Sequence, residues 1–179
     1  MKYEIFPTPV WYINEASQEL VDQLYKGAYV SKNNVKSNHI SNYGGYQSPS
    51  FSWENFHPQG IEYINKILSD IFDDFRIQSW WYNINSKGDM NKPHVHPASD
   101  YALVWYLTDN EDKLVLMNPN QRILPSYKAS QKQMHVTPCA NKGDILIFPA
   151  DIIHYVLPNE KEDDRICISM NISIRDKYC

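Results

Sequence analysis

Gly143-Asp144-Ile145-Leu146-Ile147-Phe148-Pro149-Ala150-Asp151-Ile152-Ile153-His154-Tyr155-Val156 joins two short apolar runs through turn-forming residues. After an acidic stretch, Arg165-Ile166-Cys167-Ile168-Ser169-Met170-Asn171 opens a third run. Short runs bounded in this way read as strands, here 144–148, 153–156 and 164–174. Working toward the N-terminus, the same pattern predicts strands over 78–85, 101–107, 113–117 and 133–137. Strands this short and this numerous suit a double-stranded β-helix, a jelly-roll or cupin-like barrel. Upstream the periodicity is helical. Leu20, Val21, Leu24 and Ala28 line one stripe of a helix over 15–28, and Ile61, Ile64, Leu68, Ile71, Phe72 and Phe75 line another over 61–75. Between them, residues 31–60 are rich in Ser, Asn, Gly and Pro and read as a long surface loop, of the kind that lids a site. Helices first and strands afterwards predict an α+β, mainly β architecture with the N-terminal helices packed on one sheet. Residues 1–179 are expected to form a single domain, 1–76 as its helical and loop front piece and 77–179 as the jelly-roll core.

Composition narrows the function. With 42% hydrophobic and 21% charged residues the chain is ordinary globular material, and 13 Tyr and 11 Pro favour strands and turns. A net charge of −4 offers no basic footprint, so nucleic acid is an unlikely partner. No apolar stretch approaches the roughly 20 residues that cross a bilayer, and Met1–Pro7 lacks the pattern of a signal peptide. Cys139, Cys167 and Cys179 form neither a disulfide framework nor a metal knuckle and are expected as free thiols. A cytoplasmic location is the expectation from these features.

Three of the six histidines stand out by position. His94 and His96 lie in Lys92-Pro93-His94-Val95-His96-Pro97, just before the apolar run Tyr101–Leu107. Residues two apart in extended chain point to one face, so both imidazoles reach one point in space. His154 sits past a later strand, and Arg165 follows eleven residues on. Three imidazoles on one side of a metal leave its other positions open, as in facial iron sites. A late Arg supplies the planar, bidentate grip that a carboxylate needs. The remaining histidines, His39, His57 and His135, read as hydrogen-bonded core residues rather than ligands.

Here the chain resembles the 2-oxoglutarate/Fe(II)-dependent oxygenase superfamily, and within it a group of oxygenases common in marine phages and bacteria. The resemblance runs from Phe6-Pro7-Thr8-Pro9-Val10-Trp11 to Trp81-Tyr82-Asn83-Ile84-Asn85 with Gly88-Asp89 and Asn91. It continues through His94-Val95-His96-Pro97, Trp105-Tyr106-Leu107 and Gly143–Pro149, and ends with His154 and Arg165–Asn171. It implies Fe(II) and 2-oxoglutarate as cofactor and cosubstrate, with dioxygen oxidising a C–H bond of an unidentified small molecule or protein side chain. It further implies His94 and His154 as iron ligands with His96 beside them, Arg165 on the distal 2-oxoglutarate carboxylate, and Tyr106 and Asn83 as further cosubstrate contacts. Two positions depart from the wider pattern. His96 stands where the superfamily has Asp or Glu, with Asp89 and Asp100 as other candidate carboxylates, and Cys167 stands where relatives often have Ser.

Two other functions fit parts of this pattern. A three-histidine dioxygenase of the thiol-oxidising kind would need no 2-oxo acid and would give Arg165 a substrate carboxylate. A non-catalytic jelly-roll module would keep a metal for structure or sensing, but has no use for the late Arg.

Overall fold

The computed structural model describes residues 8–14, 16–109, 113–119 and 134–175. Phe6, Pro7, Gln133 and Cys179, which figure in the readings above, lie outside them. Among the described residues eleven strands form two antiparallel sheets. They are β1 (Trp11–Ile13), β2 (Asn42–Tyr43), β3 (Tyr46–Gln47), β4 (Phe75–Asn85), β5 (Met90–His94), β6 (Tyr101–Tyr106), β7 (Leu114–Met117), β8 (His135–Val136), β9 (Ile145–Pro149), β10 (His154–Val156) and β11 (Arg165–Ile174). The larger sheet has the order β1-β9-β6-β11-β4-β3 and the smaller β2-β5-β10-β7-β8. With the two helices α1 (Gln18–Asn34) and α2 (Pro58–Ile71), this is the mainly β jelly-roll architecture expected.

The period-2 alternation of the central strands explains how the layers stack. On β6, Leu103 and Trp105 join the helix-side core, while Ala102, Val104 and Tyr106 belong to a second core shared with Leu114 and Leu116 of β7. On β9, Ile145 and Ile147 take the helix side, and Leu146 and Phe148 the other. Both faces of the larger sheet are therefore buried at β6 and β9, which read as near-continuous apolar runs. α1 contributes Leu20, Val21, Leu24 and Ala28 to the helix-side core, and α2 contributes Ile64, Ile67 and Leu68. Ser17 caps α1 by accepting from Leu20 N, and Pro58 opens α2 behind His57. Trp105, fully buried, packs between Phe56 and Tyr63, with ring centroids 6.4 and 5.4 Å away.

Residues 31–60 differ from expectation. They extend α1 to Asn34 and then join both sheets. β2 pairs with β5 (Asn42↔Asn91), and three residues later β3 pairs with β4 (Tyr46↔Ile84). The chain crosses from one sheet to the other at Gly44-Gly45, with φ of 69° and 61°. A Cβ on Gly45 would lie 2.7 Å from the Ile84 carbonyl oxygen, so the close approach needs glycine as much as the backbone angle does. Ser41, Asn42, Tyr46, Gln47 and Ser48 are buried as a result.

Candidate metal centre

His94 ends β5 and His154 opens β10, and the two residues are direct cross-strand partners. Their side chains therefore leave the smaller sheet on one face. His96 lies two residues past the end of β5, its backbone N–H donating to Ala150 O at 2.9 Å. That bond ties it to the turn leading into His154. The chain then reverses at Pro97-Ala98, where Ala98 has φ 62°, and enters β6 of the other sheet. The three rings meet with centroids 4.2 to 5.3 Å apart, and one nitrogen from each lies within 4.8 Å of the others.

Hydrogen bonding sets the tautomers of the three. His94 Nδ1 lies 2.7 Å from Lys92 O, His154 Nδ1 2.8 Å from Ile152 O, and His96 Nδ1 2.6 Å from Asn171 Oδ1. All three partners are acceptors, so each Nδ1 carries the proton and each Nε2 keeps its lone pair. His96 Nε2 and His154 Nε2 face each other at 3.2 Å. Two lone pairs this close, each with its other nitrogen oriented by an acceptor, fit a bound cation. Burial depresses all three imidazoles below their usual range, His96 to about 4 and His154 to about 3, so they are neutral at pH 7. Trp81 and Phe148 rings supply apolar walls, 5.5 Å from His96 and 4.9 Å from His154. Among the described residues no carboxylate joins the cluster. Asp89 accepts from Ser86 N beneath the Gly44-Gly45 crossing, and Asp100 accepts from Ile174 N.

The cavity behind the histidines is lined by Asn83, Tyr106, Arg165, Cys167 and Ser169. Arg165, Cys167 and Ser169 occupy the polar phase of β11, facing in between the sheets, while Ile166, Ile168 and Met170 face the helices. Arg165 is buried and donates from Nη2 to Leu157 O at 2.9 Å. The acids of its loop engage lysines, Glu160 with Lys113, Glu162 with Lys87 and Asp164 with Lys32. Tyr106 is buried with no hydrogen-bond partner for its hydroxyl among the described residues, and burial holds that phenol well above its ordinary value. Asn83 Nδ2 donates to Ser169 Oγ at 3.0 Å, leaving its Oδ1 buried without a partner among the described residues. Burial likewise pushes the Cys167 thiol up to about 11. An enclosed cation beside unsatisfied hydroxyl and amide groups fits an anionic, oxygen-rich ligand.

In front of the histidines a second opening is lined by Ile40, Ser41, Gln47 and Ser50 together with Trp81, Val95, Pro97 and Asn171. Asn171, Trp81 and Ser41 escaped the sequence reading as site residues. Asn171 shares the phase of Arg165 along β11, which is the signal that identifies it. Contrary to the core placement expected of them, His39 and His135 are exposed, and His57, half-buried, stands before α2. Among the described residues neither Cys139 nor Cys167 forms a disulfide.

Fold and site together define a jelly-roll protein equipped to hold a metal beside an anion. A family model described as "Putative 2OG-Fe(II) oxygenase" matches residues 79–171, more than half of the chain. The chain belongs to the 2-oxoglutarate/Fe(II)-dependent oxygenase family, whose cofactor and cosubstrate are Fe(II) and 2-oxoglutarate. No curated protein matches its sequence. Solved structures match its fold. A prolyl-4-hydroxylase from Pseudomonas putida is 12% identical with a TM-score of 0.68, covering 94% of each chain. HygX from Streptomyces hygroscopicus, with nickel and 2-oxoglutarate bound, is 11% identical with a TM-score of 0.67, over 93% of this chain and 83% of its own. The viral collagen prolyl hydroxylase of Paramecium Bursaria Chlorella virus-1, in its 2-oxoglutarate complex, is 16% identical with a TM-score of 0.61, over 93% and 96%. Among the described residues no helix is long and apolar enough to cross a membrane.

Proposed function

We propose that the chain is a dioxygenase that hydroxylates a C–H bond of its substrate, with His94, His96 and His154 holding Fe(II) and Arg165 gripping the distal carboxylate of 2-oxoglutarate. The observation that carries the reading is the commitment of all three Nδ1 protons to acceptors, which turns three Nε2 lone pairs toward one point. When bound, iron and 2-oxoglutarate supply the redox chemistry, in which dioxygen, 2-oxoglutarate and R–H give succinate, carbon dioxide and R–OH.

The side chains of the chain do the rest. Arg165 balances a carboxylate in a buried setting, where Tyr106 and Asn83 offer a hydroxyl and an amide that the protein itself leaves unsatisfied. Three neutral imidazoles leave the metal's full charge for the dianionic cosubstrate to offset. Trp81 and Phe148 keep water from the ligand rings, and the crossing at 40–50 walls the substrate side.

Anaerobic addition of 2-oxoglutarate to Fe(II)-loaded protein should raise a visible metal-to-ligand charge-transfer band. His94→Ala and His154→Ala should abolish the band, and Arg165→Ala should weaken it. Iron binding with no such band would overturn the 2-oxoglutarate site. Turnover without a 2-oxo acid would then favour the three-histidine thiol dioxygenase, which the carboxylate-free ligand set also suits.

A further inference from the structure

We propose that Asn171 is a positioning residue of the metal centre: its amide decides which nitrogen of His96 carries the proton, and thereby makes His96 a ligand. The inference rests on the three-histidine reading above and concerns how the third ligand is prepared.

His94 and His154 are oriented by their own backbone. Each sends Nδ1–H to the carbonyl two residues earlier, that of Lys92 and of Ile152. His96 lies beyond the end of β5 and takes its acceptor from a side chain 75 positions away in sequence, Asn171 Oδ1 at 2.6 Å. Asn171 is held in turn. β11 places it opposite Ser79 of β4 and Ala102 of β6, and its Nδ2 faces Ser79 Oγ at 3.5 Å. With Nδ2 on the Ser79 side, Oδ1 faces the ring.

The alternative state is visible in the same geometry. With no acceptor at Nδ1, the proton of His96 would move to Nε2 and donate across the 3.2 Å gap to His154 Nε2. The two ligands would then satisfy each other and present no lone-pair pair to a cation. Asn171 removes that option by using the proton on the far side of the ring. As an amide it accepts without bringing charge, so His96 remains a neutral ligand where the wider family pattern has a carboxylate.

The test uses full-length protein with Co(II) as probe. Two-bond ¹H–¹⁵N spectra of the metal-free protein report the His96 tautomer, a Co(II) titration reports affinity, and urea unfolding reports integrity. Wild type should show the Nδ1–H form. Asn171→Leu should move His96 to the Nε2–H form and weaken Co(II) binding about 10–100-fold. Asn171→Ala serves in its place if leucine disturbs folding. Asn171→Asp, which keeps the acceptor, should restore both tautomer and affinity. A folded leucine or alanine variant that binds Co(II) within about twofold of wild type would overturn the inference alone. So would an aspartate variant no better than the leucine one. Wild type with the Nδ1–H tautomer but no Co(II) binding would overturn the metal centre itself and this role with it.

Discussion

Removing metal and lowering the pH should expose the cost of three imidazoles buried in neutral form. The folded-state values of His96 and His154, about 4 and about 3, lie below the 6.5 of an unfolded imidazole. Below pH 6.5 the unfolded chain therefore binds protons that the folded chain refuses. Stability is fully present above that pH and drains away as pH falls toward the folded values. At pH 5 an unfolded imidazole is almost wholly protonated, which costs the folded state about 2 kcal/mol for each histidine kept neutral. Two such residues give about 4 kcal/mol between pH 8 and 5. The geometry sets a lower bound. One proton shared across the 3.2 Å between the two Nε2 atoms would relieve their repulsion and reduce the loss to about 2 kcal/mol. Stopping at pH 5 leaves most carboxylate titration out, including that of Asp22 and Glu160, held low by Lys142 and Lys113. Urea unfolding of chelator-treated protein at the two pH values measures the difference. The double variant His96→Gln, His154→Gln should flatten it. A wild-type loss under about 1 kcal/mol, or the same loss in the double variant, would refute the buried neutral pair.

Tyr106→Phe deletes a buried hydroxyl that has no partner among the described residues, so the ligand-free variant should be as stable as wild type or more so. Its 2-oxoglutarate affinity, read from the charge-transfer titration, should fall about 10–150-fold, the worth of one hydrogen bond to a charged group. Lower stability with unchanged affinity would place the hydroxyl in the fold rather than the site. Gly45→Ala puts a Cβ 2.7 Å from the Ile84 carbonyl in a left-handed backbone, which should cost about 2–3 kcal/mol in urea unfolding. Because Ser41 and Gln47 flank that crossing, limited proteolysis should also open residues 40–50 first; a variant as stable and as resistant as wild type would show the crossing to be loose.

The strands that could be read in the sequence are β4, β6, β9 and β11 of the larger sheet and β7, β8 and β10 of the smaller one. β6 and β9 are buried on both faces, so their apolar runs are unbroken and their ends sharp, while β11 shows itself by alternation. β5 was hidden because Met-Asn-Lys-Pro-His has neither alternation nor an apolar run. It is held by register with β2 and β10, and its one proline falls beside the last paired residue. β2 and β3, two residues each, exist only through their partners β5 and β4. The same asymmetry governs the site. His94, His96, His154 and Arg165 announce themselves by residue type and spacing, whereas Asn171 looks like any strand asparagine. What distinguishes it is phase. In an ordinary half-buried strand the polar phase faces water, but here Ile166, Ile168, Met170 and Ile172 lie under the helices. The polar set Arg165, Cys167, Ser169 and Asn171 then has only the space between the sheets to enter. A β-strand whose apolar phase is claimed by a helical layer must carry its chemistry on the other, and every polar side chain in that phase becomes a site residue by position before its chemistry is considered.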